Sequence, residues 1–274
     1  ACQYASEFLR QGIAPARPRL ILWNLVHGAG PAIDAFNRHQ AAALCASLAD
    51  LAGAQPGTGI AQAQAAERAR AEALAELDAM SGATHPLIAG AEAFRWRNAG
   101  RYLDPNSHAA LLRAALESAA RRPRPRSGRR IGLIGTALDD TRVYDAIESA
   151  GTIVCDLQPF GSNWPGPSGR ALAEDAGGLA VAEARYALST RARPELEPIE
   201  TVLTRLAAAR CDLVVAQYDE HDDTFGWELP GIRRRLAERG IPLLDLGFRA
   251  LRPDDAWLDA VRSRLISVAE TQRG

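Results

Sequence analysis

The sequence contains no lysine, so arginine supplies all 32 of its basic side chains. This absence excludes a phosphate-loop lysine, a Schiff-base lysine and a lysine general base. Long apolar runs are also missing, because none approaches the roughly 20 residues that a helix needs to cross a bilayer. The formal net charge is only -1, so we expect neither nucleic acid nor a membrane surface as a partner.

Cysteine is scarce as well. The four cysteines, at positions 2, 45, 155 and 211, are scattered along a sequence without a recognisable signal peptide. This pattern does not indicate a disulfide framework, and it favours free thiols in a reducing compartment, so we expect a cytoplasmic protein. Cys45 and Cys211 are interpreted as structural, and Cys155 as a core residue or, alternatively, as part of a site. The sequence starts at Ala1 without an initiator methionine, and we expect that part of the parent polypeptide precedes it.

Residues 31–120 are predicted to be helical. After a buried strand at 20–26, helices are expected at 31–52, 60–80, 90–100 and 107–120. Pro31 suits a first helical position, Gly53 suits a helix end, and the turn at 104–107 can supply a cap for the fourth helix. Residues 121–129 combine prolines with mutually repelling arginines, so they are interpreted as a linker, with an anion site as the alternative.

From residue 130 onward, short apolar strands alternate with amphipathic helices. The strands are expected at 131–134, 153–155, 212–217 and 243–246, and the helices at 141–150, 171–189, 198–209 and 229–239, followed by a closing helix. This alternation predicts an α/β fold with an open parallel sheet and right-handed crossovers. Gly151 is expected to end its helix in the left-handed conformation.

Ligands of an open parallel sheet bind outside the carboxyl ends of the strands, so the residues just after each strand are candidates. The first strand leads into Gly135 and Thr136, and the second ends near Asp156 before a proline- and glycine-rich loop at 159–169. An ordinary strand-to-helix turn is the alternative interpretation of the first of these places.

The third strand is followed by the densest polar and aromatic cluster of the chain, at 218–230. It contains His221, Trp227 and Glu228. His221 and the carboxylates around it are ligand types for zinc or non-haem iron, but the paired histidine or cysteine spacing that specifies a metal is missing. A ligand-binding loop and a metal site therefore both remain open for this cluster.

The order of short motifs resembles the 2-hydroxyacyl-CoA dehydratase and benzoyl-CoA reductase subunit family. The matching stretches, in order, are 130–137, 147–154, 184–186, 211–215, the loop at 221–230, 239–244 and the closing helix. Each motif is short, and their order over nearly the whole chain carries the resemblance. The resemblance implies a flavodoxin-like (Rossmann-like) domain at 130–274, and it makes residues 1–30 the end of a first α/β domain, incomplete at its N-terminus.

The resemblance also implies a four-iron (4Fe-4S) cluster and low-potential electron transfer to an acyl-CoA thioester. Cys2 lies where one family ligand would be, and His221 stands where the family has a second cysteine, so the ligand set is incomplete in this chain. Gly135, Thr136, Asp156, Trp227 and Glu228 would line the substrate pocket, and no catalytic residue is assigned. A homologous partner subunit, in a dimer or heterodimer, is implied as well.

Two other interpretations remain. A cluster-free structural or acyl-CoA-binding subunit of such a complex is supported by the missing cysteine, since thiolates suit iron–sulfur clusters and an imidazole ligand raises the reduction potential. An unrelated flavodoxin-like binding domain would leave the ordered motifs unexplained.

Overall fold

A computed structural model describes residues 30–55, 59–123, 128–162, 198–222 and 225–271, with residues 11, 21, 24 and 26 nearer the start. The chain forms two compact units, Ala1–Ala65 with Ser168–Pro194 and Ala66–Pro167 with Glu195–Gly274. The predicted strand at 20–26 lies mostly outside the described residues, and the predicted helix at 171–189 lies wholly outside them. No helix in the described part of the chain is long and apolar enough to cross a membrane.

The helical prediction for the first part of the chain is confirmed. The helices are α1 (Pro31–Ala52), α2 (Ile60–Gly82), α3 (Gly90–Asn98), which a short 3-10 turn (Ala99–Arg101) follows, and α4 (Pro105–Ala120). Gly53 ends α1 in the left-handed conformation with φ 62°. The carboxylate of Asp104 caps α4 by accepting hydrogen bonds from the backbone N–H groups of Asn106 at 3.0 Å and Ser107 at 3.1 Å.

Four parallel strands form one sheet in the order β2-β1-β3-β4. The strands are β1 (Arg129–Gly135), β2 (Gly151–Asp156), β3 (Leu213–Asp219) and β4 (Leu243–Arg249), and the helices between and after them are α5 (Thr141–Ile147), α6 (Pro198–Ala208), α7 (Phe225–Glu238) and α8 (Asp255–Thr271). Helices cover both faces, so the strands are nearly continuous in apolar residues, as buried parallel strands require. One core joins α3, α5 and α8 to the sheet, and the other joins α6 and α7.

Glu148 connects the helical segment to the sheet. Its carboxylate accepts hydrogen bonds from the backbone N–H groups of Gly90 at 2.6 Å and Ala91 at 3.1 Å at the start of α3, and from Ile153 of β2 at 3.1 Å. The residue before α3 supplies no side-chain cap, so Glu148 serves as the cap from a distant part of the chain. A side chain at position 90 would come within 2.6 Å of Ile153 Cβ, which explains the glycine there.

Two local predictions were wrong. Gly151 is extended at φ 170° and opens β2 instead of ending a helix, because the helix before it stops at Ile147 and a 3-10 turn follows. Helix α7 begins at Phe225, four residues before the prediction, because Asp222 accepts hydrogen bonds from the N–H groups of Phe225 and Gly226 and so caps the helix. Pro230 therefore lies inside α7.

Candidate functional site

The carboxyl ends of β1 and β3 meet at the point where the chain changes direction across the sheet. From β1 the chain passes to β2 on one side, and β3 lies on the other side. In an open parallel sheet such a switch point leaves a crevice outside the strand ends, where ligands bind. The switch point brings together Gly135 and Thr136 from β1 with Asp219 and the start of the following loop.

Gly135 lets β1 approach β3 very closely. Its φ is 131°, in the region that favours glycine, and a Cβ there would lie 1.7 Å from the carbonyl oxygen of Gln217. Thr136 then joins the two strand ends. Its oxygen Oγ1 accepts the N–H of Asp219 at 2.8 Å, and its carbonyl accepts the side-chain N–H of Gln217 at 2.7 Å. These two hydrogen bonds fix the backbone of Thr136 relative to the end of β3.

A buried cation lies behind the switch point. Arg249, at the end of β4, is 2% exposed and donates hydrogen bonds to Gln217 Oε1 at 2.5 Å and to the carbonyl of Ala137 at 2.6 Å. Its guanidinium also lies 3.9 Å from the carboxylate of Asp219. Burial lowers the pKa of Arg249, while Asp219, Asp139 and Asp140 oppose that shift. Arg249 thus links the ends of β1, β3 and β4 and balances part of the negative charge at this edge.

The rim around the switch point is acidic. It carries five carboxylates among the described residues, on Asp139, Asp140, Asp219, Glu220 and Asp222. The hydrogen bond from Arg142 holds the pKa of Asp140 below its ordinary value, so this carboxylate stays ionised. The rim therefore favours neutral or positively charged ligand groups over phosphates.

His221 and the first turn of α7 follow Asp219 along the chain. His221 is exposed, and its backbone N–H donates to Asp219 Oδ1 at 3.0 Å. Trp227 is 86% exposed and Glu228 is exposed beside it. The structure thus places His221 next to Asp219 and Thr136, whereas Trp227 and Glu228 are presented to solvent on the helix that follows.

Asp156 lies apart from these residues, in a buried network. Its Oδ2 accepts the hydroxyl of Tyr144 at 2.7 Å, and that hydroxyl accepts the side-chain N–H of Gln158 at 2.8 Å. Gln158 Oε1 accepts the backbone N–H groups of Leu138 and Phe160, so the network supports the loops after both β1 and β2. Burial raises the pKa of Asp156 to about 6, against the hydrogen bond from Tyr144 and the attraction of Arg97.

The described residues do not fit a four-iron cluster. Cys155 and Cys211 are buried in the core between the sheet, α6 and α7, and their mutual hydrogen bond together with burial raises the pKa of the Cys155 thiol well above its ordinary value. A neutral thiol is a poor iron ligand. Within the described ranges no three His, Cys, Asp or Glu side chains are grouped as a metal site requires. Cys2, the other candidate ligand, lies outside the described residues.

Sequence reasoning missed the residues that organise this edge, namely Gln217, Arg249, Tyr144 and Gln158. A polar residue in an otherwise apolar strand was the available signal for Gln217, since Leu213 to Ala216 are all apolar. Arg249 gave no such signal, because it follows the predicted strand at 243–246 and its burial is seen only in the fold. The signal at Gln217 does not say which partner its side chain meets, because that depends on the register between strands.

The sheet order and the polar groups gathered at its switch point define a flavodoxin-like α/β protein with a candidate binding edge. The family model for the 2-hydroxyglutaryl-CoA dehydratase D-component matches residues 5–271, nearly the whole chain. The chain belongs to this family, and the resemblance noted from its motifs is confirmed. No curated protein matches the sequence.

Proposed function

We propose that this chain is a subunit of a 2-hydroxyacyl-CoA dehydratase or benzoyl-CoA reductase type complex, and that it binds an acyl-CoA thioester at the switch point between β1 and β3. The observation that carries the proposal is the fixed pairing of Thr136 with β3 at this edge, in a chain that the family matches from residue 5 to residue 271. The proposed contribution of the chain is binding and orientation.

Thr136 is the central residue of the proposed site. Its oxygen Oγ1 already accepts the N–H of Asp219, so the hydroxyl hydrogen is directed elsewhere and suits the carbonyl oxygen of a thioester. Gly135 keeps the backbone before Thr136 close to β3. Trp227 and Glu228 would close the site from the side of α7, and Asp156 would act indirectly by holding the two loops in place.

Low-potential electron transfer through a cluster is the second candidate for this chain. Its support is the position of His221 beside Asp219 at the same edge as Thr136. A cluster in this chain would need Cys2 and His221 together with ligands beyond the described residues. The poor fit of the described residues leads us to place the redox step on the homologous partner subunit and to keep the cluster-free, acyl-CoA-binding role for this chain.

Assembly with that partner, as a dimer or heterodimer in the cytoplasm, is part of the proposal. The described cysteines are free thiols, as a reducing compartment would maintain them. Sedimentation of the full-length protein at micromolar concentration, alone and with the partner, tests assembly. A monomer under both conditions would contradict it.

The binding proposal is tested by calorimetric titration of 2-hydroxyglutaryl-CoA into wild type, Thr136→Val and Thr136→Ser. Valine keeps the shape but loses the hydroxyl, so the Kd should rise about five- to tenfold, as expected for one lost hydrogen bond. Serine keeps the hydroxyl and should bind within about twofold of wild type. Equal binding by all three proteins would remove Thr136 from the site.

A further inference from the structure

Gln217 of β3 binds both backbone polar groups of Thr136. Its carbonyl accepts the N–H of Thr136 at 3.2 Å, and its side-chain amide donates to the carbonyl of Thr136 at 2.7 Å. The backbone N–H of Asp219, two residues further along β3, donates to Oγ1 of the same threonine at 2.8 Å. Three hydrogen bonds to one strand therefore determine where the hydroxyl of Thr136 lies.

Arg249 decides which way the amide of Gln217 is turned. A guanidinium group only donates hydrogen bonds, so the amide atom that lies 2.5 Å from Arg249 Nε must be the oxygen. The amide nitrogen then faces the carbonyl of Thr136, which only accepts. The same guanidinium donates to the carbonyl of Ala137 at 2.6 Å, one residue after Thr136. The chain of hydrogen bonds from Arg249 through Gln217 to Thr136 thus has one direction.

Stability alone does not account for these two polar side chains. Gln217 is 0% exposed and Arg249 is 2% exposed, so both have lost their water. The cost of burying a cation and an amide offsets much of what their hydrogen bonds contribute, and well-packed apolar side chains are often at least as stabilising. What a fully bonded polar network does add is a fixed position for the groups that it holds.

We propose that Gln217, oriented by Arg249, is a positioning residue for thioester recognition, because it holds Thr136 where its hydroxyl can donate to the thioester carbonyl. This inference rests on the proposed function, since Gln217 acts through the hydroxyl of Thr136. Gln217 is fully buried, so it does not itself contact the thioester. Its loss should therefore weaken binding by no more than the loss of that hydroxyl does.

The test is a double-mutant cycle of Gln217→Glu with Thr136→Val, read by calorimetric titration of 2-hydroxyglutaryl-CoA. The glutamate side chain keeps the size and still accepts from Arg249, but it presents an oxygen to the carbonyl of Thr136 in place of an N–H group. Gln217→Glu alone should raise the Kd about fivefold. In the Thr136→Val protein the same change should alter the Kd by less than about twofold, because the hydroxyl that it misplaces is already gone.

A second variant separates the lost donor from the added charge. Gln217→Met has a similar size and no charge, and it should give the same about fivefold loss and the same insensitivity in the Thr136→Val protein. Gln62→Glu makes the matched charge change on the exposed face of α2 and should leave the Kd unchanged. Cooperative urea unfolding with an unchanged slope shows that each variant is folded. If Gln217→Glu does not fold, the cycle with Gln217→Met decides.

The outcomes distinguish this inference from the proposed function. Wild-type affinity in the folded Gln217 variants, together with weakened binding by Thr136→Val, would overturn the positioning role and leave the thioester site intact. Equal weakening with and without the Thr136 hydroxyl would also overturn the positioning role, because Gln217 would then act on the fold or through its charge. Unchanged binding by Thr136→Val would remove the thioester site itself, and the positioning role with it.

Discussion

Replacing Asp156 with asparagine should stabilise the protein at neutral pH and leave it unchanged in acid. The pKa of Asp156 is about 6 in the folded protein, against an ordinary value of 3.8. The folded state therefore holds a proton that the unfolded state has released between about pH 4 and pH 6. Stability from this group is full below about pH 4 and is lost as the pH rises through 6.

The size of the effect follows from the shift. About two pKa units at about 1.4 kcal/mol each give a cost of about 3 kcal/mol for ionised Asp156 above pH 7. Asparagine has no charge to desolvate and can still accept the hydroxyl of Tyr144 through its oxygen. It weakens the contacts with Gln158, whose backbone N–H lies 3.4 Å from the carboxylate and whose side chain also donates to it. About 3 kcal/mol is thus an upper limit for the gain at pH 8.

The assay is urea unfolding at pH 4, 6 and 8, with stability compared between Asp156→Asn and wild type. The difference between the two proteins isolates Asp156 from other groups that titrate, such as Glu148, whose pKa burial also raises. Asp145→Asn, which removes an exposed carboxylate from α5, should differ from wild type by less than about 0.5 kcal/mol throughout. A variant that is less stable than wild type at pH 8 would refute the reasoning, because it would show that the charged form is well solvated or paired.

Three further predictions concern the sheet edge and its supports. Gly135→Ala should cost about 3 kcal/mol or more through strain and the clash with Gln217, and Gly226→Ala, in open space on α7, should cost nothing; urea unfolding of both distinguishes a specific clash from a general glycine effect. Glu148→Ala should cost about 2–4 kcal/mol and speed hydrogen exchange at Gly90 and Ala91, whereas Glu117→Ala on exposed α4 should change neither. His221→Cys should leave the iron-to-protein ratio of anaerobically reconstituted full-length protein unchanged; a rise in iron content would favour the electron-transfer role.

The sequence predicted the sheet because each strand is a short apolar run followed by a polar turn. It predicted the candidate edge for the same reason, and Thr136 and Asp219 do lie together there. It could not predict that Asp156 turns inward. That orientation depends on Tyr144, which comes from a helix on one face of the sheet, and nothing in the local pattern links the two residues.

The cap of α7 shows a different limit. The sequence pattern predicts the start of this helix at 229 without Asp222 as its cap, although aspartate is a common capping residue. In the fold, Phe225 packs near Tyr218, with 6.1 Å between the ring centroids, and this contact favours an earlier start. The local cap by Asp222 and the contact of Phe225 with Tyr218 therefore both favour the earlier start.

The charge at the switch point limits how an acyl-CoA can lie in the proposed site. The rim is acidic. Among the described residues, the buried cation at this edge is Arg249, and it already donates hydrogen bonds to Gln217 and Ala137. The phosphates of CoA would be repelled there, so the thioester end should face Thr136 and the nucleotide should be held on another surface. Thr136→Val should then weaken an acyl-pantetheine, which lacks the nucleotide, by the same factor as the acyl-CoA, within about twofold. Asp139→Asn should leave acyl-CoA affinity unchanged for the same reason. If Asp139→Asn tightens acyl-CoA but not acyl-pantetheine, the phosphates lie at the rim and the orientation proposed here is reversed.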